Sequence, residues 1–244
     1  MKKIRLTPLF FRRIHKWVGL ILGLQFVLWT LSGSMMALLD KDKVAAHAHD
    51  MGHAHPLPGG EYFDVGALST SDPVLGVALR DLGTRPVYEV RTQKGVRLVD
   101  ATDGAAISVD ESLAREVAAM INEAPIRQAS LLPKSTLETR DHEGAMWRID
   151  FADAENSSAY VSADTARFLV MRGDTWRTWD FFWMLHNMDY MERKSFNHPL
   201  IIFVAFGTLW LSATGFYLLF KSFTRTDFRW LRRRKMPVVR TLAN

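Results

Sequence analysis

WVGLILGLQFVLWTLSGSMMALL, residues 17–39, runs for 23 positions without an Asp, Glu, Lys or Arg. A second such run, PLIIFVAFGTLWLSATGFYLLF, covers the 22 residues 199–220. Each exceeds the ~20 residues that a helix needs to cross a ~30 Å hydrocarbon core, and core helices of soluble proteins rarely run so long without a charge. The two runs predict two transmembrane helices in contact with the lipid bilayer. What lies between them, residues 40–198, then becomes a domain on one side of the membrane.

Charge assigns the sides. Residues 1–39 carry six Lys/Arg and no acid, and residues 199–244 carry eight Lys/Arg against the single Asp227. The middle carries 17 Lys/Arg against 25 Asp/Glu, so the net +5 of the chain hides two basic ends and an acidic centre. By the positive-inside rule both ends are expected in the cytoplasm. The basic balance therefore reports topology, and nucleic-acid binding is not expected. A cleaved signal peptide is the rival reading of the first run. That run is too long for a signal h-region, and Asp40-Lys41-Asp42-Lys43 separates it from the small residues at Ala46-His47-Ala48, so an uncleaved anchor is expected. The chain has no cysteine, which removes disulfides, thiolate metal sites and covalently attached c-type haem.

The expected organisation is a basic N-terminus (1–16), a first transmembrane helix (17–39), a polar linker (40–60), a folded outer domain (61–172), an amphipathic helix (174–192), a second transmembrane helix (199–220) and a basic tail (221–244). Within the outer domain Val87–Arg91 and Val96–Val99 read as strands joined at Gln93-Lys94-Gly95, with a turn at Asp100–Gly104. Ser108 with Glu111 makes a capping-box signature for a helix through about Asn122, its apolar face being Leu113, Val117, Met120 and Ile121. The strand–turn–strand pattern recurs over Met146–Phe151, Ser158–Val161 and Arg167–Val170. Val87-Tyr88 aligns with Met146-Trp147, and Val99-Asp100 with Val161-Ser162. Two related α+β halves follow, each a small antiparallel sheet with a helix. Further on, Trp176, Trp179, Trp183, His186 and Tyr190 fall at spacings that share one helix face. That face reads either as an aromatic belt on the outer leaflet or as a seam packed under the outer domain. Pro199 suits the first turn of the second membrane helix.

The histidines are the candidate ligands. His15, Gly19 and Gly23 share a face at the start of the first run, continued by Thr30, Gly33, Ser34 and Ala37. Ala205, Thr208, Ser212 and Gly215 form a similar stripe in the second. Small residues let membrane helices approach closely, which accounts for the glycines without a ligand. His15 reads either as an interfacial anchor or as a haem ligand, since neutral imidazole binds iron and glycine leaves room for a flat porphyrin. His15 and His198 are expected at opposite membrane faces and so cannot share one haem, whereas His186 and His198 are expected on the same side. A haem at the inner face would need a second ligand from a homodimer mate or a partner membrane subunit. His47, His49, His53 and His55 in the linker form the densest ligand cluster and suit labile capture of Cu, Zn or Ni; the alternative is a solvated linker. His142 reads as an exposed turn residue. No G-x-S-x-G, HExxH, P-loop or dinucleotide fingerprint is present, so a hydrolase or kinase has no support.

The chain resembles the PepSY-associated transmembrane family of bacteria. The resemblance rests on Arg13-Ile-His-Lys-Trp-Val-Gly19 leading to Leu31-Ser-Gly33, on Trp183-Met-Leu-His186, and on Ala213-Thr-Gly-Phe-Tyr217. The hairpins with the Asp100–Gly104 turn look like PepSY modules. The resemblance implies a membrane α+β fold, two transmembrane helices flanking a periplasmic domain of two PepSY-like repeats, in the bacterial inner membrane. It further implies a part in metal acquisition, of iron by family analogy, with electron transfer through haem b ligated by His15, His186 and His198, as in a ferric-siderophore reductase component. A non-enzymatic accessory that binds a protein partner or captures metal through the linker is the alternative, and a peptidase inhibitor or chaperone is the third reading.

Overall fold

The computed structural model describes residues 8–45, 57, 59–68, 72–83, 85–191, 193–195 and 197–223. His47, His49, His53 and His55 lie outside the described residues. Along the chain the elements are α1 (Pro8–Leu38), α2 (Lys41–Val44), β1 (Val74–Asp81), β2 (Pro86–Thr92), β3 (Gly95–Asp100), β4 (Ala106–Ile107), α3 (Glu111–Ala119), β5 (Ile126–Leu132), β6 (Met146–Phe151), β7 (Ser158–Ser162), β8 (Phe168–Arg172), α4 (Asp174–Asn187) and α5 (Pro199–Ser222). Two compact units result, one of residues 1–31 with 196–244 and the other of residues 32–195.

The first unit is a helix pair. α1 starts at Pro8, well before the uncharged run, so Arg12, Arg13 and Lys16 stand on its opening turns. α5 opens as expected, with His198 as N-cap and Pro199 in the first turn, where a missing N–H breaks no helical hydrogen bond. Leu20, Ile21, Leu24, Val27, Phe203, Phe206, Leu209 and Phe216 are each more than 60 % exposed. An apolar surface so continuous suits hydrocarbon, and a helix satisfies its own backbone there. The two helices pair antiparallel: Phe11 meets Tyr217 at 5.5 Å between ring centroids, His15 meets Thr214, and Leu22 packs on Gly207. A Cβ at Gly207 would stand 3.2 Å from Leu22 Cδ1, which is the close approach that small residues permit.

The second unit holds two four-stranded antiparallel sheets of the same strand order, β1-β2-β3-β4 and β5-β6-β7-β8. The internal repeat read from the sequence matches the register. Tyr88 faces Val99 in the first sheet and Trp147 faces Val161 in the second, at the aligned positions. Alternation puts Val87 and Leu98 on one face of the first sheet, where they join α3 (Leu113, Ala114, Val117) and the second sheet (Ile149, Phe151, Val161) in one core. Each such side chain, fully buried, contributes on the order of 1.5–3 kcal/mol.

α3 is capped differently from the expectation. Asp110, not Ser108, is the N-cap, its carboxylate accepting from Leu113 N at 2.9 Å. The reason is that Ile107 is paired with Leu98 in β4, and the Val109 carbonyl accepts from the Trp147 indole at 3.0 Å, so the chain stays extended to Asp110. The helix also ends at Ala119, and its buried face is Leu113, Ala114, Val117 and Ala118, leaving Met120 40 % exposed.

Ion pairs tie the halves together. Glu89 on β2, nearly inaccessible, accepts from Arg80 at 3.1 Å and from both Arg167 Nε (2.9 Å) and Nη2 (2.8 Å) in the turn before β8. Arg80 also donates to the Thr165 carbonyl. Behind the second sheet, Glu138 accepts from the Tyr160 hydroxyl at 2.7 Å and from Arg177 at 2.8 Å. Burial, followed by the Glu138 charge, pushes the Tyr160 hydroxyl well above the usual phenol range. This network is fully paired and fastens α4 to the sheet.

α4 ends at Asn187, where Met188 adopts φ 57°, so the helix stops short of the expected 192. Its aromatic face is partly occupied from within the unit. Trp176 is buried beneath the Arg172 guanidinium, 4.0 Å from its ring, and Arg140 lies 5.6 and 5.5 Å from the rings of Trp176 and Trp183. Arg140 in turn pairs with buried Asp180 at 2.8 Å. Burial beside Arg140 lowers Arg172 to about 10. Phe181 and Tyr190 remain about half exposed.

Candidate functional site: two histidine cradles

The first cradle forms between α1 and α5. His15 Nδ1 lies 2.9 Å from the hydroxyl of Thr214, itself 6 % exposed. That hydroxyl also lies 2.9 Å from the Trp210 carbonyl and 3.0 Å from that of Leu211. It has one proton to give. The arrangement that satisfies all partners has Thr214 donating back into its own helix and accepting the Nδ1–H of His15. Nε2 of His15 then carries the lone pair, the form in which imidazole ligates a metal. Gly215 completes the cradle, because a Cβ there would stand 3.3 Å from His15 Cε1.

The second cradle forms inside the other unit. His186, in the last turn of α4, places Nδ1 3.2 Å from the hydroxyl of Ser32, which is 1 % exposed. Gly33 lies beside the ring, and a Cβ there would be 3.4 Å from His186 Cε1. Hydroxyl to Nδ1 and glycine against Cε1 are thus repeated, once by Thr214-Gly215 and once by Ser32-Gly33. At the other end of α4, Lys43 of α2 pairs at 2.7 Å with Glu155, which also accepts from Thr175 N in the first turn of α4 at 3.0 Å. The hydrogen bond from Lys43 holds the Glu155 carboxyl below its usual range.

His198 does not join His15. It is half-buried at the start of α5, 16 residues and about 24 Å of helix rise before Thr214. His142 follows the Leu137–Thr139 turn, half-buried, and donates its backbone N–H to Thr139. Among the described residues no group of three His, Asp or Glu side chains converges as a metal cluster. Thr214 and Ser32 were the residues that stripe-reading overlooked, since it selected neighbours at regular spacing. The available signal was the recurrence of a hydroxyl–glycine dipeptide, Ser32-Gly33 and Thr214-Gly215, opposite a histidine.

Two long apolar helices and an α+β unit of two matched sheets define a membrane protein of the α+β class. The chain belongs to the family described as the PepSY-associated TM region, whose model matches residues 12–242. No curated protein and no solved structure matches it significantly.

Proposed function

We propose that this protein is a metal-acquisition component of a bacterial inner membrane that carries electrons through haem b towards a ferric chelate in the periplasm. The observation that carries the reading is the repeated cradle. Each of two histidines gives its Nδ1 to a buried hydroxyl and rests its Cε1 on a glycine. Such outer hydrogen bonds orient a ligating imidazole and raise its basicity. The donor set fits haem iron, which takes neutral imidazole as an axial ligand.

His15, His186 and His198 are the residues that would hold the group, and when bound it supplies a one-electron centre. Thr214 holds the Nδ1 proton of His15 and leaves its Nε2 as the ligand atom, and Ser32 stands against Nδ1 of His186. In the topology that the charge pattern supports, His15 serves the inner face and His186 the outer. Ferric chelates release iron once reduced, which gives electron delivery across the membrane its purpose. The basic flanks support cytoplasmic ends and a periplasmic span of residues 40–198. A haem held by His15 would need a further ligand from a second copy or a partner subunit. The exposed Phe181 and Tyr190 suit the outer leaflet surface.

Reduced-minus-oxidised absorption spectra of the purified full-length protein test the reading. A haem α-band is expected, and its absence from protein made with haem in supply refutes it. The four histidines of the linker favour a second activity, labile capture of Cu, Zn or Ni. Calorimetry with each ion on the full chain and on a variant with all four replaced by Ala checks it, the heats vanishing in the variant.

A further inference from the structure

Independently of haem, the second unit contains a cavity on the face of its first sheet that points away from the shared core. Residues 61–68 cross that face as a strap. Phe63 N donates to the Ala101 carbonyl at 2.8 Å, and the Tyr88 hydroxyl donates to the Phe63 carbonyl at 2.9 Å. Phe63 is further fixed over Gly104, whose φ of +77° and missing Cβ admit the ring; a Cβ there would be 2.7 Å from it. Between strap and sheet a cavity of about 200 Å³ remains, walled by Phe63, Leu68, Val90 and Val99. It stays open because alanines stand where larger side chains would fill it, among them Ala67 and Ala106.

One wall is different. Arg97 faces Val90 across the β2–β3 ladder and lies two residues from Val99, so alternation puts its side chain on the cavity face. The other cations of this sheet have acidic neighbours: Arg80 and Arg91 have Glu89, Lys94 has Asp72, and Arg85 lies near Asp100. Among the described residues Arg97 makes no ion pair. A guanidinium left without a carboxylate at the mouth of an apolar cavity calls for an anion attached to an apolar body, and its fork suits a carboxylate.

We propose that this cavity binds a small monocarboxylate with a flat or branched apolar body of about ten non-hydrogen atoms, the apolar part under the strap and the carboxylate on Arg97. The size follows from the volume, which is below that of pockets for drug-sized ligands, roughly 300–1,000 Å³. Free acids and the carboxyl-terminal residue of a peptide share this chemistry.

Calorimetry on the full-length protein in detergent, with empty micelles as the blank, tests it with three probes: phenylacetate, its neutral amide, and N-acetyl-phenylalanine. Saturable binding of phenylacetate about tenfold tighter than of the amide is expected, from a charge-assisted hydrogen bond. Tighter binding of N-acetyl-phenylalanine than of phenylacetate would assign the site to peptide ends, and the reverse to free acids. Arg97→Gln should make acid and amide equal, Arg97→Lys should retain part of the preference, and Ala67→Leu should abolish both by filling the space. Thermal melting confirms that each variant is folded; Arg97 is exposed, so its replacements leave the core intact. Equal affinity for acid and amide in the wild type, a preference that survives Arg97→Gln, or no saturable binding of any probe overturns the proposal.

Discussion

In the first cradle the imidazole stands on α1 and the hydroxyl–glycine pair on α5; in the second the pair stands on α1 and the imidazole on α4. The contacts are alike, but the supports differ. His15 depends on two membrane helices packing through Gly19, Gly207 and Gly215. His186 depends on α4, which the second unit holds through Asp180, Arg177 and the arginines around Trp176. The difference teaches that one cradle is a property of the pair of long apolar helices and the other of the two-sheet unit with the last turns of α1. Perturbations of the two-sheet unit should therefore separate them.

The largest separation should come from Glu89→Gln. It leaves Arg80 and Arg167 beside a neutral amide in a nearly closed site, which costs roughly 2–3 kcal/mol, allowing for the partial exposure of Arg167. A fall of roughly 5–10 °C in the melting temperature of the two-sheet unit is expected by calorimetry. Iron-protoporphyrin retained through His186 should be lost in parallel with that transition, while the His15-dependent fraction stays.

Thr214→Val removes the hydroxyl at nearly constant shape and frees the Nδ1 proton of His15. Loss of such an orienting partner typically weakens metal affinity about tenfold or more. Titration with iron-protoporphyrin should show that loss in the His15 fraction alone, and nitrogen NMR of labelled histidine should show His15 leaving the Nδ1–H tautomer even without ligand. Ser32→Ala is the matching change in the other cradle. It removes a buried hydrogen bond worth about 1 kcal/mol and should lower the stability of the two-sheet unit by that order, measured by denaturant midpoint.

The legibility of these features in the sequence divides along the same line. The membrane helices stood out because bilayer thickness imposes a length that few other structures need, and β2, β3, β6 and β7 were legible because apolar, β-branched or aromatic residues run or alternate there between turn residues. β1 and β5 were not. They are edge strands, and Val74-Leu-Gly-Val and Ile126-Arg-Gln-Ala lack the alternation of a half-buried strand; each also carries a bulge. The cap of α3 was missed because the Ser108 signature competes with Asp110, and a tertiary bond to Trp147 decides between them. His15, His186 and His198 were legible as ligand types. Their hydroxyl partners were not, because Thr214 is 199 residues from His15 and Ser32 is 154 from His186.

The smallest effect concerns acid. Glu155 titrates below its usual value in the folded state because Lys43 bonds the charged form, so its contribution is present above about pH 4.3 and lost as pH falls through the folded value. Lys43 is half exposed, so solvent screens the pair and the gain is small. Melting curves of the wild type and Glu155→Gln should differ slightly at pH 7 and converge near pH 3.

The central claim is that His15 and His186 are ligands at two separate sites. Dithionite-reduced minus oxidised spectra of the wild type, His15→Ala, His186→Ala and the double variant, at matched protein concentration, test it most directly. Each single change should remove a distinct part of the α-band and the double change all of it. A band that either single variant abolishes completely, or that neither diminishes, contradicts the account.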